Sequence, residues 1–312
     1  MDSIKAAAYG GEGWRSRITA LNQEMGTIWG DWGVESECMP LRAVLLHLPG
    51  KEVEGLTNPD EVQMLSPIEA DLMRRQHDAL AQAYRHAEVQ VHYVNPAVTP
   101  PPNIMFVRDL FFMTPEGAIL ARPASTVRAG EERHVARRLA DLGVPIIRSV
   151  RGKGTFEGAD ALWLDEKTVL LASGLRTNEE GANQVERVLE EMDVEVIRVE
   201  LPYGTMHLLG TLNFADRDLA VALSGRVPFK AVQALRERDF EVLWLPDEEE
   251  AVKGMALNFV TLRPRCVLMP ANCPKTSSVY KASGIKCIEV GISEFIKAAG
   301  GIGCLTGILK RG

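Results

Sequence analysis

From residue 41 to the C-terminus, short apolar runs alternate with amphipathic stretches, and no other feature of the sequence constrains the fold as much. The runs are LRAVLLHL (41–48), VQVHYV (89–94), ALWLDEKTVLLAS (161–173), VEVIRVEL (194–201), FEVLWL (240–245) and RCVLM (265–269). Their Val, Ile and Leu content suits strands buried on at least one face. Between them, Ser66-Pro67-Ile68-Glu69 reads as a capping box with proline at the first helical position, opening a helix to about His86. Further helices are expected over 130–142, 180–192, 228–239 and 291–299. Gly174, Gly204 and Gly210 fall at strand ends, where loops turn. Residues 1–35, rich in Gly and Trp and without periodicity, read as a wrapping arm. No low-complexity linker divides the remainder, so 36–312 reads as one α/β domain. A doubly wound sheet fits this pattern too, but no GxGxxG opens a helix after a strand, which disfavours a dinucleotide site.

The 312 residues, 46% of them hydrophobic, suffice for a large core. A net charge of −7 argues against nucleic acid or an anionic membrane as the main partner. The N-terminal stretch MDSIKAAAYGGEGWRSR has no apolar core of a signal peptide, and no segment offers about 18 uninterrupted apolar residues. A cytoplasmic protein is therefore expected. The five cysteines, Cys38, Cys266, Cys273, Cys287 and Cys304, are odd in number and lack CxxC spacing, so neither a disulfide framework nor a zinc site is expected. Either all five are buried thiols or one is a nucleophile, and spacing alone does not choose it.

Four clusters place a functional group beside a turn residue at a strand end. They are NIMFVRD (103–109), FEGAD (156–160), MHLLG (206–210) and GGIGCLT (300–306). Each is weak alone: an Asp after Arg is commonly a surface pair, and a lone His beside apolar residues is commonly a core residue. In this order, however, they resemble the guanidino-modifying enzymes of the pentein superfamily: arginine deiminase, dimethylarginine hydrolase and the amidinotransferases. The resemblance is drawn most closely to arginine deiminase. NIMFVRD matches its Asn-x-x-Phe-Thr-Arg-Asp motif with Val107 for Thr, and FEGAD its Glu-Gly-Gly-Asp with Ala159 for Gly. GLRT (174–177) resembles its Ser-Glu-Arg-Thr segment, GGIGCLT its glycine-rich Cys-Met-Thr, and GVESECMPLRAVLLHLPGKEVEGLT (33–57) its opening strand.

The resemblance implies a propeller of five ββαβ-type modules about a pseudo-fivefold axis. It implies Cys304 as the nucleophile attacking the guanidino or ureido carbon and His207 as the proton-transfer group. Glu157 would polarise the histidine and the substrate nitrogens, and Asp109 would bind the guanidinium. Asn103, Arg128 and Arg176 stand at the offsets where deiminases grip the substrate's α-carboxylate, and Asp160, Leu209 and Gly303 join the substrate-binding set. No cofactor or metal is implied; the partner is a small guanidino or ureido amino acid, and a homo-oligomer is left open.

The chemistry agrees with this assignment. A guanidinium carbon is poorly electrophilic, and a thiolate splits one hard displacement into two easier ones. A free thiol with pKa near ~8.5 is only slightly ionised at neutrality, so a cationic neighbour must favour the thiolate. Carboxylates match the planar N–H fork of a guanidinium. Two positions depart from the deiminase pattern. Leu209 stands where deiminases and amidinotransferases place a second carboxylate, and Gly303 where deiminases commonly place an Arg. The chain is also too short for the helical insertion of bacterial deiminases. Three activities follow as expectations. They are hydrolysis of arginine or an N-substituted arginine to citrulline, hydrolysis of citrulline to ornithine, and, ranked lower, amidino transfer. A non-catalytic ribosome anti-association role of the same fold lacks the Cys/His/Glu/Asp set and is disfavoured.

Overall fold

The apolar runs pair into five three-stranded sheets in a computed structural model that describes residues 2–312; Met1, the first residue of the expected arm, lies outside the described residues. In chain order the first sheet begins with β1 (Leu41–Leu46), α1 (Ala70–His86) and β2 (Gln90–Tyr93). The second holds β3 (Phe111–Thr114), β4 (Gly117–Leu120), α2 (Glu132–Asp141) and β5 (Ile146–Ser149). The third holds β6 (Ala161–Asp165), β7 (Thr168–Ser173), α3 (Glu179–Glu190) and β8 (Glu195–Glu200). The fourth holds β9 (Leu212–Asp216), β10 (Leu219–Ala222), α4 (Phe229–Arg236) and β11 (Glu241–Trp244). After the short helix α5 (Glu248–Val252), the fifth holds β12 (Val260–Arg263), β13 (Cys266–Pro270), α6 (Pro274–Ala282) and β14 (Lys286–Val290). Two short helices, α7 (Ser293–Lys297) and α8 (Ile302–Leu305), lead to β15 (Gly307–Arg311), which pairs antiparallel with β1. The first module is thus closed by both ends of the domain.

Every module repeats one rule: an antiparallel pair, then a helical crossover to a parallel third strand. This is the ββαβ repeat that the resemblance implied. The burial pattern explains the sequence. β3, β4, β7, β10 and β13 are buried at every residue, so they read as continuous apolar runs, whereas β5, β8 and β11 expose both ends.

Three expectations need correction. The run 161–173 is a hairpin, β6 and β7, turning at Glu166-Lys167. The hairpins β3–β4 and β9–β10 and the strands β5, β12, β14 and β15 were not among the expected strands. The capping box at Ser66 does not form. α1 begins at Ala70, and Glu69 at its N-cap makes no side-chain cap. Instead, the amides of Leu65 and Ser66 donate to the Lys297 carbonyl, and the Glu69 amide donates to Glu294 Oε2 at 2.7 Å. A carboxylate from α7 therefore supplies the acceptor that the local sequence seemed to offer. The helix expected over 291–299 is confined to Ser293–Lys297.

A buried ion pair fixes how the first modules meet. Arg108 Nη2 donates to Glu37 Oε1 at 2.8 Å, with both side chains under a tenth exposed. The same Glu37 oxygen accepts from the Trp163 amide, and the Trp163 ring stacks on Phe112. Removing one partner of such a pair strands a buried charge and costs about 3–5 kcal/mol. Glu37→Ala should lower urea-unfolding stability by that amount. By contrast, Glu54→Ala, which breaks an exposed pair with Arg74, should cost less than about 1 kcal/mol. Equal losses in the two variants would contradict this assignment.

Candidate active site

Each module enters its antiparallel pair through a tight turn, and these five turns carry the polar side chains of one site. Asp109 precedes β3, Glu157 and Asp160 precede β6, His207 precedes β9, Asn258 precedes β12 and Cys304 precedes β15. Close approach of the turns depends on glycine. A Cβ at Gly300 would collide with the Phe106 ring, and one at Gly301 would lie 2.7 Å from Asn258. The glycine run ahead of Cys304 thus lets its turn pack against the turns of Asp109 and Asn258.

The centre is acidic and tightly paired. Arg128 donates to Asp109 Oδ2 at 2.6 Å, to Glu131 Oε2 at 2.9 Å and to Glu157 Oε2 at 3.5 Å. Its remaining N–H groups reach the carbonyls of Asn103 and Phe106. Glu157 accepts from the Ala124 amide at 3.1 Å, from Arg176 at 3.5 Å and, through Oε2, pairs with His207 Nε2 at 2.7 Å. His207 Nδ1 lies 4.0 Å from Asp109 Oδ1, an oxygen with no other partner. Asp160 accepts from the Thr177 hydroxyl and from the Leu208 amide, which anchors the turn beside His207.

These charges set the protonation states. Burial opposes an imidazolium at His207, but the charges of Asp109, Asp160 and Glu157 and the Glu157 hydrogen bond outweigh it and lift the group to about 9. Burial likewise opposes the Glu157 carboxylate, yet His207, Arg128 and Arg176 hold it well below the usual carboxylate range. Burial pushes Asp160 up to about 6 and Glu131 to about 7. Burial and then the Asp109 charge push the Cys304 thiol up to about 11, against the hydrogen bond from Asn258. The resting state at neutral pH is therefore a neutral thiol beside an imidazolium.

Cys304 is held by a residue that the sequence did not single out. Asn258 Nδ2 donates to Cys304 Sγ at 3.2 Å, and Asn258 Oδ1 accepts from the Cys304 amide at 3.0 Å. Only recognition of β12 would have revealed Asn258, because it is the fifth module's equivalent of the other turn residues. Glu131 was missed for a similar reason: nothing in GEERH distinguishes it from a surface acid.

Of the ten residues expected at the site, Asn103, Asp109, Arg128, Arg176, His207 and Cys304 line one cavity, together with Gln63 and Met206. Glu157 does not line it; fully buried, it bonds to His207 and Arg176, which do. Asp160 does not reach the cavity; it is fully buried and both its oxygens are bonded to protein. Gly303 packs instead of lining: a Cβ there would lie 2.9 Å from Asn258 Oδ1 and 3.1 Å from Leu209. Leu209 lines an adjoining cavity. Asn103 donates to the Val62 carbonyl at 2.7 Å and leaves its own Oδ1 without a partner. Arg128 is engaged by three protein carboxylates, so in this geometry it neutralises the acidic cluster. Asp109, Glu157 and His207 each offer a ligand atom within 4.8 Å of the others. Because the Arg128 and His207 cations already face both carboxylates, the trio makes a poor cage for a divalent ion.

The fold and this arrangement define an α/β propeller hydrolase with a cysteine at its centre. The sequence profile described as "N,N dimethylarginine dimethylhydrolase, eukaryotic" matches residues 62–309, and the chain belongs to that family. A dimethylarginine dimethylaminohydrolase of Pseudomonas aeruginosa is 27% identical over 84% of this chain and 97% of its own length. One of Streptomyces coelicolor is 27% identical over 88% of this chain and 99% of its own. Among solved structures, the Pseudomonas enzyme in complex with citrulline superposes with a TM-score of 0.73 at 23% identity, covering 87% of this chain and all of that one. The N-terminal domain of the cyanobacterial arginine dihydrolase ArgZ gives 0.74 at 19%, covering 86% of this chain and 97% of that one. The pentein resemblance therefore holds, and its emphasis moves from the deiminases to the dimethylarginine hydrolases. No helix among the described residues is long and apolar enough to cross a membrane.

A thiol raised to about 11 becomes a thiolate only as pH climbs toward that value. Labelling of Cys304 by uncharged iodoacetamide should therefore rise about tenfold per pH unit between about pH 7 and 9. The cationic mimic 2-chloroacetamidine should label it at least about tenfold faster than iodoacetamide at pH 7, because its charge stabilises the thiolate. A labelling rate already at plateau near neutrality, followed by peptide mass mapping, would show that the resting thiol is ionised.

Proposed function

We propose that this chain hydrolyses the guanidino group of an Nω-substituted arginine, giving citrulline and an amine through a covalent intermediate on Cys304. The observation that carries the reading is the ring of His207, wedged between Asp109 and Glu157 on the wall of the cavity that Cys304 shares. Asp109 lines the cavity, and its Oδ1 accepts no hydrogen bond among the described residues. A guanidinium can offer that oxygen an N–H, and its positive charge favours the Cys304 thiolate as a neutral ureido group does not, which ranks citrulline below a substituted arginine.

The steps follow from the protonation states. As the guanidinium settles against Asp109 and Glu157, its charge favours loss of the thiol proton to solvent. The thiolate of Cys304 bonds to the guanidino carbon. His207 donates its proton to the departing nitrogen, the C–N bond breaks and the amine leaves a thiouronium on sulfur. The neutral imidazole then takes one proton from water as the water's oxygen bonds to carbon; the C–S bond breaks, the remaining hydroxyl proton passes to the departing sulfur, and the Cys304 thiol and citrulline are returned. Arg176 would bind the α-carboxylate, and the unpartnered Asn103 Oδ1 suits the α-ammonium.

A panel of arginine, Nω-methylated arginines, citrulline and agmatine tests the reading, with citrulline, ornithine and amine all measured. A methylated arginine should exceed arginine in kcat/KM, since Leu209 replaces the second carboxylate that would compensate an unsubstituted guanidinium. Cys304→Ser should abolish turnover, and His207→Ala should lower it by roughly 10²–10⁴. Ornithine as the product, or full turnover in either variant, would overturn the mechanism.

Arg176 provides a separate check on amino-acid recognition. Loss of one charge-assisted bond to the α-carboxylate should cost about 10–100-fold in kcat/KM. Arg176→Ala should show that loss with methylarginine and little change with Nω-methylagmatine, which has no carboxylate. Equal losses on both substrates would reassign Arg176 to supporting Glu157.

A further inference from the structure

Cys304 and His207 line two cavities, not one. The first, beside Asp109 and Arg176, is a narrow slot of about 30 Å³. The second is about 160 Å³ and meets the first along Met206, His207, Ala299 and Cys304. A cavity of about this size lined by apolar side chains holds a benzene ring in an engineered protein. Its far wall is apolar, formed by Leu209, Leu223, Val252 and Met255. Leu209 and Leu223 are almost fully buried, and Met255 is fixed in left-handed backbone geometry (φ 54°) that few non-glycine residues adopt. No Asp or Glu lines the chamber; its one permanently charged side chain, Arg226, pairs with Glu248 at the surface. At the mouth, Gly204 and Gly210 have no neighbouring atom within 4 Å of where a Cβ would stand.

The position of this chamber relative to the reaction gives it a role. In the mechanism above, the nitrogen that departs must be the one His207 protonates. A substituent on that nitrogen points away from the slot holding the amino-acid end of the substrate, and past His207 and Cys304 the space available is the second chamber. We propose that this chamber receives the substituent of the departing nitrogen, that it accepts uncharged alkyl or aryl groups larger than methyl, and that the amine leaves through its glycine-lined mouth. The net reaction is Nω-alkylarginine plus water to citrulline plus alkylamine, with the C–N bond broken and the proton on the amine supplied by His207. The absence of carboxylates from the lining selects against a substituent bearing its own cation. This inference rests on the hydrolase reading above and adds to it the size, polarity and direction of the substituent.

The test is a series of Nω-methyl-, Nω-ethyl-, Nω-butyl- and Nω-benzyl-L-arginine, with Nω-(4-aminobutyl)-L-arginine as the cationic member, read by citrulline release. Each methylene that enters the apolar chamber can add roughly fourfold to kcat/KM. The butyl and benzyl compounds should equal or exceed the methyl compound, and the aminobutyl compound should fall about tenfold or more below the butyl. Val252→Phe, which intrudes on the chamber, should lower the benzyl-to-methyl ratio of kcat/KM by about tenfold or more. Turnover of methylarginine with butyl and benzyl compounds about tenfold or more slower would overturn the chamber assignment while leaving the hydrolase reading intact. An unchanged benzyl-to-methyl ratio in the variant would overturn it as well. No citrulline from any member would overturn the hydrolase reading, and the chamber assignment with it.

Discussion

The site depends on one buried cation. Arg128 gathers Asp109, Glu131 and Glu157 around a single guanidinium, three carboxylates that would otherwise repel one another in a medium of low dielectric. The field of these carboxylates reverses the effect of burial on His207 and holds its proton. The same field, through Asp109, discourages the Cys304 thiolate until another cation arrives. A buried protein cation, a protonated histidine and a neutral thiol are therefore three consequences of one charge arrangement. It also accounts for specificity of a general kind, since the reactive form of the sulfur is favoured by a positively charged partner.

The propeller makes that arrangement possible. Each module's inner strands are buried and apolar, so their entry turns are held on rigid supports, and five such turns bring groups distant in sequence to one point. The repeat supplies a place for one functional group per module, and the chain fills the five places with different chemistry: Asp109, Glu157, His207, Asn258 and Cys304. Asn258 illustrates the economy of this plan. It binds both the sulfur and the amide of Cys304, fixing that side chain from two directions. Leu209, beside His207, converts what could have been a further charged contact into the wall of an apolar chamber.

Much of this was legible in the sequence, for identifiable reasons. The candidate site residues were visible because each stands in a short, ordered motif at a strand end. The long outer helices were visible because α1, α2 and α3 carry one apolar face each. Inner hairpins were not, because strands buried on both faces lose the alternation that marks a half-buried strand, as in the short runs Phe111–Thr114 and Gly117–Leu120. Asn258 and Glu131 were invisible because their roles come from contacts across modules. The local signature at Ser66 misled for the same reason: Glu294, distant in sequence, supplied a competing acceptor. Arg128 was found by its offset from Asp109, but sequence could not show that protein carboxylates already surround it.

The charge arrangement around Arg128 is tested most directly by nuclear magnetic resonance of the histidine rings in the unliganded protein, with the His207 signal assigned by its loss in His207→Ala. Titration followed from about pH 5 to 10 should show His207 protonated at neutrality and losing its proton near 9, against a reference of about 6.5 for a free imidazole. A His207 ring that is already neutral at about pH 7 and titrates at or below about 6.5 would contradict the account, because the carboxylates would then not be holding its proton.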